Sequence, residues 1–203
     1  SRTIAAADLQ PNDRFGWDIA ADGSSFVASA PLNGGSVGAL FVYAADGDDW
    51  TERQRLSTAA AVPQTVLGVA VAFDGSTILA GAPVFEGQRG AVYRFERAPD
   101  GTFQEAGTLP VDSLAPQSAF GGQVAVEGEI AAAAVSNADH GAGSVIVFER
   151  DAGAWTQRSL LRTPSEALAS IRGGEVRCSP DGEAASFGCH DVEMLSFLAT
   201  PDL

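Results

Sequence analysis

Short apolar runs, separated by glycine, proline and acidic residues, fill the chain from end to end. Runs of this kind, rich in valine, phenylalanine and alanine, predict many short β-strands and no helices. Acid-glycine pairs sit between successive apolar runs at Asp22-Gly23, Asp74-Gly75 and Glu127-Gly128. Such a pair is a strong hairpin signal, because both central residues of a type I′ turn need positive φ. The Ala30-Pro31 and Ala82-Pro83 steps then stop a strand, since proline cannot continue a ladder.

These signals recur with one period. Gly16, Gly68, Gly121 and Gly173 are spaced by 52, 53 and 52 residues. A large apolar residue precedes the first three (Phe15, Leu67, Phe120), and Arg172 precedes the fourth. Next come Ser29-Ala30-Pro31, Gly81-Ala82-Pro83 and Ala134-Val135-Ser136, with Gly188-Cys189-His190 in the fourth unit after a two-residue insertion. In that unit the acid-glycine pair is Asp181-Gly182. A glycine then opens an aromatic-rich run: Gly38 to Tyr43, Gly90 to Phe95, Gly143 to Phe148, and a degenerate copy from Val192 to Phe197. Trp50, Phe103 and Trp155 follow, each with a leucine six residues on (Leu56, Leu109, Leu161). Each unit reads as four antiparallel strands, and repetition at this period predicts a β-propeller. The four blades cover about 15–57, 67–110, 120–162 and 172–203. Small residues such as Ala20, Ala70, Ala72 and Ala125 fit strands crowded around an axis.

The ends carry phase. Ile4 stands twelve residues before Gly16, as Leu56, Leu109 and Leu161 stand before Gly68, Gly121 and Gly173. Residues 1–4 therefore read as the tail of a fourth strand. Two arrangements satisfy this: residues 1–4 close a four-bladed ring, or the chain is a segment of a larger, for example seven-bladed, ring. Strands average about five to six residues, so a four-residue remnant pairs poorly, which favours the segment.

Composition sharpens the picture. Hydrophobic residues make up 45% of the 203 and charged residues 19%, enough apolar content for a core. The net charge is −14, and all twelve cations are arginine. This balance argues against nucleic acid and anionic membrane surfaces, which require basic patches. The longest apolar run, Ile130–Val135, is far shorter than a membrane span, so no membrane insertion is expected. Cys178 and Cys189 lie eleven positions apart across an expected hairpin, either as a pair or as two thiols.

From Phe15-Gly16 through Ala30-Pro31, and from Leu67-Gly68 through Ala82-Pro83 to Gly90-Ala91-Val92-Tyr93, the chain resembles FG-GAP repeats. These are the blades of the integrin alpha-subunit propeller and of many bacterial and algal surface proteins. The resemblance is sharpest in the first two units and weakest in the fourth. It implies a place outside the cell or on its surface, and a role in adhesion or in binding protein or glycan partners rather than in catalysis. Many such blades carry a calcium loop with alternating aspartates between strands one and two. Here each turn has too few carboxylates for the six to eight oxygens that calcium takes, so neither calcium nor another cofactor is expected.

Rigid scaffolds carry function on loops, which directs attention to the loops between strands two and three, residues 32–37, 84–89 and 137–142. The candidate binding residues are Asn33 in the first, Phe85, Glu86 and Arg89 in the second, and the matched pairs Asp139-His140 and His190-Asp191. An aromatic residue beside arginine is a frequent hot-spot composition. The two histidines belong to different blades without further ligands, so no metal site is expected. Trp50 and Trp155 suggest sugar stacking or, more simply, packing of the outer strand. The favoured function is a non-catalytic adhesion module presenting rim loops to a protein partner. The alternatives are a lectin-like glycan binder and a structural subunit paired edge to edge with a neighbouring chain.

Overall fold

The acid-glycine pairs turn the chain where the pattern expects them to. In the computed structural model, which describes residues 6, 8–60, 62–138, 141–162, 183–184 and 187–188, β1 (Ile19–Ala21) and β2 (Ser25–Ala30) flank Asp22-Gly23. Likewise β5 (Ala70–Phe73) and β6 (Thr77–Ala82) flank Asp74-Gly75. The strands β9 (Phe120–Glu127) and β10 (Ile130–Val135) meet around Gly128. The aromatic-rich runs form the third strands: β3 (Ala39–Asp46), β7 (Ala91–Arg97) and β11 (Ser144–Asp151). The fourth strands, β4 (Asp49–Leu56), β8 (Phe103–Thr108) and β12 (Ala154–Arg162), start at or just before the recurring Trp or Phe. The result is three four-stranded antiparallel sheets, each with its strands in chain order, all within the compact unit Ser1–Arg162. A second unit, Thr163–Leu203, contains the described pair β13 (Glu183–Ala184) and β14 (Phe187–Gly188).

One expectation about turns needs correction. Only the glycines are left-handed (Gly23 φ +65°, Gly75 +90°, Gly128 +59°), so the turns are not type I′. The acid contributes its side chain instead. Asp74 Oδ1 accepts hydrogen bonds from the backbone N–H groups of Ser76 (2.9 Å) and Thr77 (2.8 Å), and Asp22 Oδ1 accepts one from Ser24. A carboxylate that closes its own turn removes the need for a second positive φ. In the fourth unit Asp181-Gly182 lies outside the described residues, and what is described there is the pairing of Glu183–Ala184 with Phe187–Gly188. Residues 1–4, Cys178, Cys189, Asp139, His140, His190 and Asp191 lie outside the described residues.

Alternation along the strands gives each sheet two apolar faces, and the sheets stack through them. The trailing face of the first sheet (Val27, Leu40, Val42, Leu56) meets the leading face of the second (Val71, Phe73, Ile78, Tyr93, Phe95, Phe103). The trailing face of the second (Ala72, Leu79, Val92, Leu109) meets Phe120, Ile146, Phe148 and Trp155 of the third. Each joint sets aliphatic side chains against aromatic ones, and each fully buried large side chain contributes roughly 1.5–3 kcal/mol. In all three sheets the ladder between third and fourth strands shifts register at the same repeat position, beside Tyr43, Phe95 and Phe148. A bulge there bends and twists the outer strand without disturbing the packed inner three.

Candidate functional site

The loops between second and third strands sit on the rim where each sheet locks to the next. In the first, Asn33–Ser36 makes one tight helical turn in which Gly34, Gly35 and Ser36 have φ of +64°, +73° and +68°. In the second, Phe85–Gln88 repeats this with Glu86, Gly87 and Gln88 at +50°, +67° and +69°. Left-handed geometry costs a residue with a Cβ roughly 1–2 kcal/mol, so Ser36, Glu86 and Gln88 are held by their surroundings. The holding is visible. Ser36 and Val37 offer their carbonyls to the N–H groups of Val66 (3.0 Å) and Leu67 (2.9 Å). Gln88 and Arg89 do the same for Ala119 (2.7 Å) and Phe120 (3.1 Å). Gly38 and Gly90 then pass so close to the next sheet that a Cβ on either would lie 2.3 Å from the backbone oxygen of Leu67 or Phe120. Gly68 and Gly121, the marker glycines of the repeat, are packed against the preceding sheet with φ near +90°.

On this shared backbone the two loops carry different chemistry. Asn33, a binding candidate by sequence, is buried beneath the rim. Its amide donates to Asp13 Oδ2 at 2.6 Å, and its oxygen accepts from Arg55 Nη2. Arg55 also lies over the Phe41 ring at 5.7 Å. Asp13 in turn receives the Gln10 N–H and gives its carbonyl to Leu32. The Asp13–Asn33–Arg55 chain thus stitches the segment before the first sheet to its rim and outer strand. Neither Asp13 nor Arg55 stands out in the sequence, because the contact joins three separate stretches.

The second loop presents its chemistry outward. Phe85 is half-buried, edge-on to Tyr93 with ring centroids 6.0 Å apart, and forms the root of the loop. Val84, Glu86, Gln88 and Arg89 are exposed, and Glu86 and Arg89 face one another at 3.6 Å. At this exposure such a pair adds little stability and leaves both charges available. Burial pushes the Tyr93 phenol above its ordinary range, and the Glu105 and Glu86 carboxylates add to this against a hydrogen bond with Thr58. The structure therefore brings Phe85, Glu86 and Arg89 together on one exposed loop and buries Asn33 in the other. The third loop is anchored by Asn137, whose side chain donates to the Gln117 carbonyl at 3.0 Å.

At the opposite rim the turn acid Asp74 acts as a clasp between sheets. Asp74 Oδ2 accepts the Gly128 N–H of the next sheet at 3.0 Å. Burial alone would raise the Asp74 carboxyl, but hydrogen bonds from Thr77, Ser76 and Gly128 outweigh it and hold the group below the ordinary aspartate value. Trp155 is buried in the second joint, whereas Trp50 is partly exposed and edge-on to Phe26 at 5.0 Å. Among the described residues no three His, Cys, Asp or Glu side chains gather to hold a metal, and no helix is long and apolar enough to cross a membrane.

The segment that builds the first of these rims is also the one with a family match. Residues 1–43 match the FG-GAP repeat family. The matched stretch runs through Phe15-Gly16 and Ala30-Pro31 to the third strand of the first sheet. The matched stretch thus contains the first rim loop and the Gly38 contact, and the second sheet reproduces both. No curated protein matches the chain.

Proposed function

We propose that the three sheets are consecutive blades of a β-propeller, with 172–203 as the fourth repeat, and that the chain is a non-catalytic extracellular interaction module. Its rim loops bind a protein partner. The observation that carries this reading is the 84–89 loop. It holds an aromatic root and exposed acid, amide, arginine and valine on a backbone closed by its own hydrogen bonds and held at Gln88 and Arg89 by the joint to the third sheet. A loop held in strained geometry before binding loses little entropy when a partner arrives. The FG-GAP match on residues 1–43 supports the propeller reading. The resemblance to surface proteins of that kind is the ground for placing the module outside the cell.

The test uses the immobilised chain and secreted or surface proteins of its source. A partner should be retained by the parent chain and by Asp48→Ala on the opposite rim. It should be lost by at least about tenfold, roughly 1.4 kcal/mol, in the Glu86→Ala/Arg89→Ala double variant. Equal retention by all three chains would remove the 84–89 loop from the proposal. Binding on a glycan array with no protein retained would overturn it in favour of the lectin.

A further inference from the structure

The peptide between Asn33 and Gly34 carries chemistry that the first rim loop does not use. Asparagine is thermolabile, because its carboxamide carbon is an electrophile within reach of the next backbone nitrogen. A following glycine leaves that nitrogen most accessible, having no Cβ to shield it. In the reaction the Gly34 nitrogen attacks Cγ of Asn33 and gives its proton to water or hydroxide, and the Asn33 side-chain nitrogen leaves as ammonia. Water then opens the five-membered imide at either carbonyl, giving aspartate or isoaspartate. The two other asparagines lack this neighbour: Asn12 precedes Asp13, and Asn137 precedes Ala138.

The fold holds this pair shut. Asn33 is 4% exposed, its Nδ2 donates to Asp13 at 2.6 Å, and its Oδ1 accepts from Arg55. A carboxamide fixed at both of its polar atoms is not free to turn its carbon toward the nitrogen that follows. We infer that Asn33-Gly34 is a deamidation site kept latent by the Asp13–Arg55 brace, so that opening of the first rim is recorded there as an irreversible change. Both products hinder reclosure. Aspartate at position 33 puts a carboxylate where the amide donates to Asp13, and two carboxylates so close repel. Isoaspartate reroutes the chain through Cβ and Cγ. The main-chain carbonyl of Asn33, which accepts the Gly38 N–H at 3.0 Å, then becomes a free carboxylate, and the loop loses the bond that seats Gly38 against Leu67. The second loop has Phe85-Glu86 at these positions and carries no such chemistry. The inference concerns the joint between the first two sheets, so it stands or falls separately from the partner-binding proposal.

Peptide mapping by mass spectrometry, on the full 203-residue chain held at mildly alkaline pH, tests it. In denaturing urea Asn33 should convert while Asn12 and Asn137 remain amides. Without urea the parent should convert at Asn33 at least about tenfold more slowly. Asp13→Ala and Arg55→Ala each release one end of the carboxamide, and without urea each should convert at least about tenfold faster than the parent. Arg55 is exposed on the outer strand, so its variant should keep the circular-dichroism spectrum of the parent and carries the comparison should Asp13→Ala misfold. Asn33→Asp, one defined product, should unfold at a lower urea concentration than the parent. No conversion at Asn33 in urea, equal rates with and without urea, or an Arg55→Ala chain that converts no faster than the parent would each overturn the inference. An Asn33→Asp chain as stable as the parent would overturn its irreversibility.

Discussion

The first two rim loops share a backbone and differ in what they do with it. Both run through three consecutive left-handed residues, and both end on a glycine pressed against the next sheet. In one, the leading side chain is Asn33, turned inward and spent on Asp13 and Arg55. In the other it is Phe85, and the residues after it face solvent with both charges. The comparison separates two jobs that a single loop would confuse. The joint between sheets sets the backbone, and the side chains are then free to become either an internal brace or a display.

The comparison breaks most completely at the glycines. Gly38→Ala and Gly90→Ala each put a Cβ into neighbouring backbone at positive φ, so each should lose about 3 kcal/mol or more in urea unfolding. The losses should be alike, because the two contacts are geometrically alike; a large loss at only one would mean that the joints are not equivalent. At the next level the loops should diverge. Asn33→Ala leaves the buried Asp13 without its amide partner and should cost about 1–3 kcal/mol. Arg89→Ala should change stability by about 0.5 kcal/mol or less, because its ion pair is exposed.

The clasp on the opposite rim offers a smaller effect that pH can read. The Asp74 carboxyl is depressed in the folded chain, so its stabilisation is complete above the unfolded aspartate value and is lost as pH falls through the lower folded value. Asp74→Asn should therefore flatten the acid side of a stability–pH profile below about pH 4 while leaving both loops unaltered. An unchanged acid slope would show that the Gly128 contact carries no such linkage. One small change is expected to be a gain. Glu86→Gly removes a Cβ from left-handed geometry, worth about 1–2 kcal/mol, and gives part of it back as chain entropy, about 0.5–1 kcal/mol. The melting temperature should rise slightly, and the equivalent Ser36→Gly should behave the same way.

Strand order and the strand boundaries of the first three repeats were legible because each is written within one unit: an acid-glycine turn, a stop at Ala-Pro, an aromatic run, a Trp or Phe. What escaped was written across units. Asp22 and Asp74 look like turn formers, and only the neighbouring sheet shows that Asp74 reaches Gly128. Asn33 looks like an exposed loop residue because its partners lie 20 and 22 positions away. The left-handed residues Val66 and Ala119 carry no sequence signal at all, since their geometry comes from the carbonyls of Ser36, Val37, Gln88 and Arg89. Phe85, Glu86 and Arg89 were found as a group because they are adjacent in sequence. The exposure of Ile19 and Trp50 is not legible either, since the same apolar pattern is buried in the next repeat.

The Gly38 and Gly90 contacts are made by main chain on main chain, and this has a bearing on how such a molecule varies over time. A fastening that involves no side chain is blind to the letters on either side of it. Apart from side chains used as braces, such as Asn33, the residues between the proline and the glycine of each repeat are therefore free to change while the contact between one sheet and the next is kept. Diversity at the rim and invariance of the frame are then two results of the same missing methyl group.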